Sequence, residues 1–116
     1  RSSDLLESLL AHARGVRAYV EGDFKGACDF FERSDEIGLY WGLERAGLKL
    51  YNRQHLARCY EQAGHAAAAT AMRGKISAVN PRFLEVNRTA DIDQAWAERR
   101  SSRNVRLPID RRHLDP

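Results

Sequence analysis

The sequence predicts an all-α protein built from two tandem antiparallel helical hairpins, followed by a C-terminal helix and a basic tail. Apolar residues recur at spacings of three and four over most of the chain, which is the period of an amphipathic helix. Alanine is frequent and only three prolines are present, a balance that favours helix over strand. Gly22 and Gly64 separate the periodic runs and divide residues 1–81 into the two hairpins.

The first hairpin is predicted to turn at Gly22 and Asp23. Glycine adopts the left-handed conformation that ends a helix at little cost, and aspartate accepts from the free N–H groups of the next helix. The preceding helix is predicted to begin at Asp4, with Glu7 completing a capping box. Two adjacent apolar stripes run along this helix, and we expect a face that wide to be buried against more than one neighbour. The stripes are Leu5, Leu9, Val16 and Tyr19, and Leu6, Leu10, Ala13 and Val20.

The second helix is predicted over residues 25–37, with Gly38 as its stop. Phe24 and Phe31 share one of its faces. Gly15 lies in the middle of the first helix, where glycine costs about 1 kcal/mol relative to alanine. Close packing of the two helices is the expected reason for a glycine at this position.

The second hairpin repeats this plan. A long helix is predicted over residues 41–63, Gly64 is its hinge, and an alanine-rich helix follows over residues 66–79. Asn80 can cap a following turn that starts at Pro81.

The order of residues in these two hairpins resembles the tetratricopeptide repeat family, in which small, aromatic and hinge positions recur and a proline closes the unit. Gly64 lies 42 residues after Gly22, and the same offset relates Ala27 to Ala69 and Gly15 to Ala57. The resemblance covers Leu5 to Pro81 and implies a right-handed superhelix of two units. The matching residues are Gly15, Gly22, Phe24, Ala27 and Phe31, then Tyr60, Gly64, Ala69 and Pro81.

The chain departs from that family in several places. The usual repeat is about 34 residues long, and the longer offset is similar to that of kinesin-light-chain-like repeats. Ser34 stands where a small apolar residue is usual, and Arg73 and Ile76 stand where an aromatic residue and an alanine are usual. An ordinary helical bundle with a coincidental glycine spacing is the alternative interpretation.

The resemblance implies a protein-interaction scaffold that binds a peptide or protein segment on its inner face, which the first helix of each unit lines. Arg58 could pair there with a carboxylate of the partner. The lysine and asparagine clamp with which some family members grip chaperone tails is absent from these positions. The inner-face positions implied to bind a partner are His12, Tyr19, Tyr51, Gln54, Arg58 and Glu61.

Residues 82–100 are predicted to hold a capping helix from Asp91 to Arg100. Ile92 and Trp96 share a face of it, which can fold back over the open end of the repeats or join two chains as a homodimer. A homo-oligomerisation or regulatory assembly domain of a larger protein is therefore an alternative function.

Residues 101–116 are predicted to form a basic, flexible tail. Six arginines fall between positions 99 and 112, against the single acid Asp110. Nucleic-acid binding through these arginines is a weaker alternative, because a solvated tail has the same composition and no aromatic residue follows Trp96 as a stacking platform. The candidate tail contacts are Trp96, Arg99, Arg100, Arg103 and Arg106.

Composition narrows the class further. The 116 residues carry a formal net charge of +3, which does not demand nucleic acid as a partner. No apolar run of about 18 residues and no signal peptide is visible, so we expect a soluble, cytoplasmic protein. The chain starts at Arg1 without an initiator methionine, which suggests a fragment or trimmed product of a larger protein.

No motif of catalysis or cofactor binding is visible, and we expect a non-enzyme that carries no cofactor or metal. His55 and Cys59 are four apart, a spacing that two metal ligands can use, but no companion motif supports a metal site. Cys28 and Cys59 fall inside helices and are expected to be small buried thiols in a reducing compartment and not a disulfide.

Overall fold

The computed structural model describes residues 2–37 and 43–114, and it describes the side chains of residues 3–37 and 47–103. Within these ranges the protein is all-helical, which confirms the predicted class. The predicted stop at Gly38 and start at Trp41 lie outside the described residues. The elements are α1 (Ser2–Val20), α2 (Phe24–Glu36), α3 (Leu43–Gln62), α4 (Ala66–Val79), a 3-10 helix (Pro81–Glu85) and α5 (Ala90–Leu114).

The hinge between α1 and α2 forms as its chemistry predicts. Gly22 has a φ of +86°, in the left-handed region that favours glycine. Its N–H donates to the Tyr19 carbonyl, and the Asp23 N–H donates to the Ala18 carbonyl, both over 2.9 Å. These two bonds satisfy two carbonyls of the last turn of α1. The Asp23 carboxylate accepts from the Gly26 N–H over 2.9 Å and caps α2.

The hinge between α3 and α4 has the same backbone geometry. Gly64 has a φ of +85°. Its N–H donates to the Glu61 carbonyl over 3.1 Å, and the His65 N–H donates to the Tyr60 carbonyl over 2.8 Å. The side chain of His65 makes no capping bond, unlike the aspartate of the first hinge. The two turns therefore share the glycine and its pair of hydrogen bonds and differ in the cap.

Close packing joins α1 to α2 in antiparallel orientation. A Cβ atom added to Gly15 would lie 2.6 Å from a ring carbon of Phe31, which is fully buried. The predicted reason for this glycine is thereby confirmed. Ser34, which departs from the repeat pattern, is buried together with Ser8. Each hydroxyl donates to the other residue's carbonyl, over 2.9 and 3.2 Å, so the polar pair is satisfied inside the hairpin.

The core has two parts. The larger part contains residues from all five α-helices. The smaller part lies between α3, α4 and the 3-10 helix, and the partly buried Tyr51 and Leu84 pack against it. The buried members of the larger part are Tyr19, Ala27, Cys28, Phe31, Leu56, Ala57, Cys59, Met72 and Ile92. Those of the smaller part are Leu50, Ile76 and Phe83.

The last helix is longer than predicted, since α5 continues past Arg100 to Leu114. It folds back on α1. Ile92 is 4% exposed within the larger core, and the Trp96 ring lies 5.5 Å from the Phe24 ring in an edge-to-face contact. Neither α5 nor any other helix of the described residues combines the length and the apolar content that crossing a membrane requires.

The predicted start of α1 is wrong. The helix begins at Ser2, so Asp4 lies inside its first turn and is not the cap. Glu7 accepts a hydrogen bond from Arg33 of α2 and does not complete a capping box. An ion pair between neighbouring helices has replaced the local arrangement that the spacing favoured.

The 3-10 helix starts as predicted. The Asn80 side chain accepts from the Arg82 N–H over 3.1 Å, and Pro81 occupies the first position, where no N–H is required. This turn redirects the chain from α4 towards the face that α1 and α3 share.

Candidate interaction surface

The face shared by α1 and α3 is held together by a buried amide. Asn52 of α3 donates through Nδ2 to the Phe31 carbonyl of α2 over 3.0 Å. Its Oδ1 therefore faces His12 of α1 and accepts from Nδ1 of that ring over 2.8 Å. This assigns the Nδ1 proton to His12. One side chain thus fixes three helices relative to one another.

Four rings pack around this amide. The His12 ring lies 5.3 Å from both Phe31 and Tyr51 and 5.1 Å from His55. Burial lowers the pKa of His12, although its bond to Asn52 opposes the shift. The lowered pKa keeps His12 neutral at pH 7.

His55 is fully buried, and its Nδ1 donates to the Tyr51 carbonyl over 2.9 Å. Burial is the main reason that its pKa is lowered to about 4. Its Nε2 has no hydrogen-bond partner in the described part of the chain. The ring is therefore a neutral core residue, as expected for a histidine taken out of water.

A cleft of about 180 Å³ opens beside this cluster, between the N-terminal half of α1 and the start of the described side chains of α3. Most of its surface is apolar, with three leucines in its walls, and its polar lining includes Lys49 and the Ser8–Ser34 and His12–Asn52 pairs. The lining residues are Leu5, Ser8, Leu9, His12, Ser34, Leu48, Lys49, Tyr51 and Asn52.

Exposed leucines continue the cleft along α1. Leu6 is 68% exposed, Leu9 is 42% exposed and Leu10 is 46% exposed. Across the cleft, Leu48 of α3 is 43% exposed. The expectation that both apolar stripes of α1 are buried is therefore wrong for this end of the helix. The neighbouring helices leave a large part of each of these side chains uncovered.

The chain's own C-terminal segment covers the other end of the same face. Asp93 of α5 accepts from the Tyr19 hydroxyl of α1. It also accepts from Nε of Arg58, with its two oxygens at 3.1 and 3.2 Å. Burial is the main reason that the pKa of Tyr19 is raised, and the bond to Asp93 raises it further. The carboxylate therefore ties α5 to both first helices of the hairpins.

A second bond extends this cover. Nε2 of Gln54 donates to the Val86 carbonyl over 3.1 Å, which fixes the chain just after the 3-10 helix against α3. Glu61, at the far end of α3, accepts from Arg73 of α4, and this bond lowers the pKa of its carboxyl. The hydrogen bond is local to the second hairpin.

The structure divides the predicted inner-face residues into three groups. His12 and Tyr51 line the open cleft. Tyr19, Gln54 and Arg58 lie under the C-terminal segment, and Tyr19 has no exposed surface. Glu61 is exposed beside α4. Their role in binding a partner stays a prediction, and of the six only His12 and Tyr51 line the open cleft.

Of the predicted tail contacts, Trp96 is half-buried and belongs to the packing of α5. The Arg100 guanidinium lies 4.6 Å from the centre of its ring. Arg99 and Arg103 are exposed and line a shallow hollow with Glu98. The side chain of Arg106 lies outside the described residues.

Sequence reasoning missed Asp93 and Asn52, the two side chains that connect most elements on this face. Asp93 stands 74 residues from Tyr19 and Asn52 stands 40 residues from His12, so no local pattern relates them. Asn52 is followed directly by Arg53, Gln54 and His55, so the local sequence does not single it out as a buried amide.

Within the described residues, no group of three or more potential ligand side chains is arranged to hold a metal ion. His55 and Cys59, which share a metal-like spacing, bond to different backbone carbonyls, those of Tyr51 and Phe24.

In comparisons with known proteins, no family model, no curated protein and no solved structure matches the chain.

Proposed function

We propose that the chain is a non-catalytic protein-interaction module that binds an apolar segment of a partner protein along the N-terminal half of α1 and the facing part of α3. The exposed leucines that continue the aliphatic cleft carry this proposal. Leu6, Leu9 and Leu10 lie side by side on one helix and retain 42–68% of their exposure. A contiguous apolar patch on a small folded chain is typical of an interaction surface, because its burial by a partner is favourable.

The resemblance to tetratricopeptide repeats supports the same face. Gly22 and Gly64 form the same type of turn at an offset of 42 residues. His12 contacts Tyr51, Asn52 and His55, so α1 and α3 lie side by side. In that family the first helices of successive units line the inner surface, and here these helices are α1 and α3.

The C-terminal segment covers one end of the face that α1 and α3 share, which leaves the other end as the binding position for a partner. Asp93 holds Tyr19 and Arg58. A partner reaches the fully buried Tyr19 only if α5 leaves, and the partly exposed Arg58 is already paired with this chain's own carboxylate. The open end requires no such rearrangement. An amphipathic helix that presents aliphatic residues three and four apart fits it, because such anchors enter a groove between two helices.

Peptides selected from a random library against the immobilised full chain test the proposal. The variant Leu9→Asp places a carboxylate in the cleft and should weaken binding about tenfold or more, since an apolar partner would lose its contact with Leu9 and would have to cover a charged group. The matched control is Val79→Asp, which makes the same kind of change at an aliphatic residue that is 59% exposed on α4.

Circular dichroism establishes that both variants are folded, and fluorescence anisotropy gives their affinities. Equal affinity of the selected peptides for both variants would remove the cleft as the binding site. Failure to select any peptide that binds the full chain would contradict the proposal as a whole.

Self-assembly is the second candidate function, because the same leucines can meet their copies across a two-fold axis. Sedimentation of the full chain separates the two. A dimer that Leu9→Asp converts to a monomer assigns the surface to assembly, whereas a monomeric chain assigns it to a different partner.

Nucleic-acid binding rests on the exposed Arg99 and Arg103 of α5 and is the weakest candidate. It predicts an affinity that falls steeply with salt. An affinity for nucleic acid that survives replacement of both arginines by glutamine would contradict it.

A further inference from the structure

Two buried cysteines from different helices lie together in the larger core. Cys28 belongs to α2 and Cys59 to α3, and both are free thiols. The Cys59 thiol donates a hydrogen bond to the Phe24 carbonyl oxygen over 3.1 Å. Because residues four apart share a helix face, this bond places Cys59 against the turn of α2 that carries Cys28. Both cysteines belong to the same buried cluster of the core.

Small residues allow the two helices to approach at this point. Ala27 precedes Cys28 in α2, Ala57 precedes Cys59 by two positions in α3, and both alanines are fully buried. The distance between packed helices depends on the side chains at their contact, and small ones allow the shortest. A disulfide requires Cβ atoms about 3.5–4.5 Å apart, so a close helix pair is the arrangement that favours it.

The two thiols differ in access and acidity. Cys59 has no exposed surface, whereas Cys28 is 6% exposed and lines a hollow that opens to solvent. The neighbouring Cys59 thiol lowers the pKa of Cys28. The neighbouring Cys28 thiol, together with burial, raises the pKa of Cys59. Since the thiolate is the nucleophile, an oxidant that enters the hollow reacts first with Cys28.

Acidic side chains dominate the rim of this hollow. Asp23, Asp29 and Glu32 line it, against the cationic Lys25 and the imidazole of His65. Such a rim raises the local concentration of cationic reagents and lowers that of anionic ones.

We propose that Cys28 and Cys59 form a redox-active dithiol, which small disulfides of neutral or positive charge convert into an internal disulfide that joins α2 to α3. The Cys28 thiolate attacks one sulfur of the reagent, forms a mixed disulfide and releases half of the reagent as a thiolate, which takes up a proton. The Cys59 thiol then loses its proton and attacks the Cys28 sulfur, which releases the other half as a thiol. Two protein thiols are oxidised and one reagent disulfide is reduced to two thiols.

Equilibration of the full chain with buffers of reduced and oxidised dithiothreitol tests this pairing. Alkylation and mass spectrometry give the ratio of disulfide to dithiol in the native chain and in the chain unfolded by urea. We expect the equilibrium constant for disulfide formation to be about tenfold or more larger in the native chain, because the fold holds the sulfurs together. By linkage, the oxidised chain then unfolds at a higher urea concentration than the reduced chain. A native constant equal to or below that of the unfolded chain would overturn the proposal.

Single-cysteine variants assign the two roles. Cys59→Ser keeps a hydroxyl donor for the Phe24 carbonyl, and its remaining Cys28 should form a mixed disulfide with the dicationic reagent cystamine. Cys28→Ser should react at least several-fold more slowly, since its remaining thiol is buried and less acidic. In low salt, Cys59→Ser should react more slowly with anionic oxidised glutathione than with cystamine. Equal rates of the two variants with cystamine would overturn the assignment of Cys28, and equal rates of the two reagents would overturn the preference for charge.

Discussion

Adding one methyl group at Gly15 should destabilise the fold, although alanine is the better helix former. The added Cβ would lie 2.6 and 2.7 Å from two ring carbons of Phe31. That ring has no exposed surface, so it cannot swing into solvent to make room. Overpacking of this kind costs about 1–3 kcal/mol, while the gain in helix propensity is about 1 kcal/mol. The net result for Gly15→Ala is a loss of up to about 2 kcal/mol in the free energy of unfolding.

Gly74→Ala is the matched control. Gly74 also lies inside a helix, but a Cβ atom added there would meet nothing within 4 Å. The propensity gain is then unopposed, and the variant should be about 1 kcal/mol more stable than the parent chain. Urea unfolding followed by circular dichroism gives both values, provided that the slope with urea is unchanged. Gly15→Ala as stable as Gly74→Ala would refute the close packing of α1 on Phe31.

Three further predictions concern the core and the C-terminal cover. Since His55 has a pKa of about 4 in the fold and about 6.5 when unfolded, the unfolded chain binds more protons between these pH values. Protonation of this histidine therefore does not reduce the free energy of unfolding above about pH 6.5, and it reduces that free energy by about 3 kcal/mol as the pH falls to 4. Urea unfolding of the parent chain and of His55→Gln at several pH values measures this, and parallel pH profiles would contradict it. Trp96→Ala should lower the free energy of unfolding by about 2 kcal/mol, less than for a fully buried ring, because Trp96 is only half-buried against Phe24; an unchanged urea midpoint would show that α5 is not a cap. Asp93→Asn should lower the free energy of unfolding by about 1–2 kcal/mol, because the bond to the partly exposed Arg58 becomes weaker. Amide hydrogen exchange should increase most at the start of α5, and an unchanged exchange rate there would contradict the prediction.

The hinges could be predicted from the sequence because their chemistry is local. Gly22 and Gly64 end their helices in the left-handed conformation, and this requires only their own backbone and the preceding helical turn. The Asp23 cap and the Asn80–Pro81 start are local for the same reason. The predicted capping box at Asp4 is also a local pattern, but Glu7 pairs instead with Arg33 of α2, which the spacing of Asp4 and Glu7 does not indicate.

Apolar periodicity predicted which side of α1 is apolar but not how much of it a neighbour covers. The same pattern includes buried Tyr19 and exposed Leu9, which differ only in which element lies opposite. The C-terminal cover depends on Asp93, whose partners belong to α1 and α3. Contacts between residues so far apart follow from the packing of helices, and a single sequence does not display them.

The most direct test of the proposed interaction surface is a nuclear magnetic resonance titration of the full chain with a library-selected peptide. It measures the change in chemical shift of each backbone amide. The account predicts shifts concentrated in the N-terminal half of α1 and around Leu48 and Tyr51 of α3, with the amides of α4 and α5 unaffected. Shifts centred on α4 or on the arginines of α5, with the cleft unchanged, would contradict it.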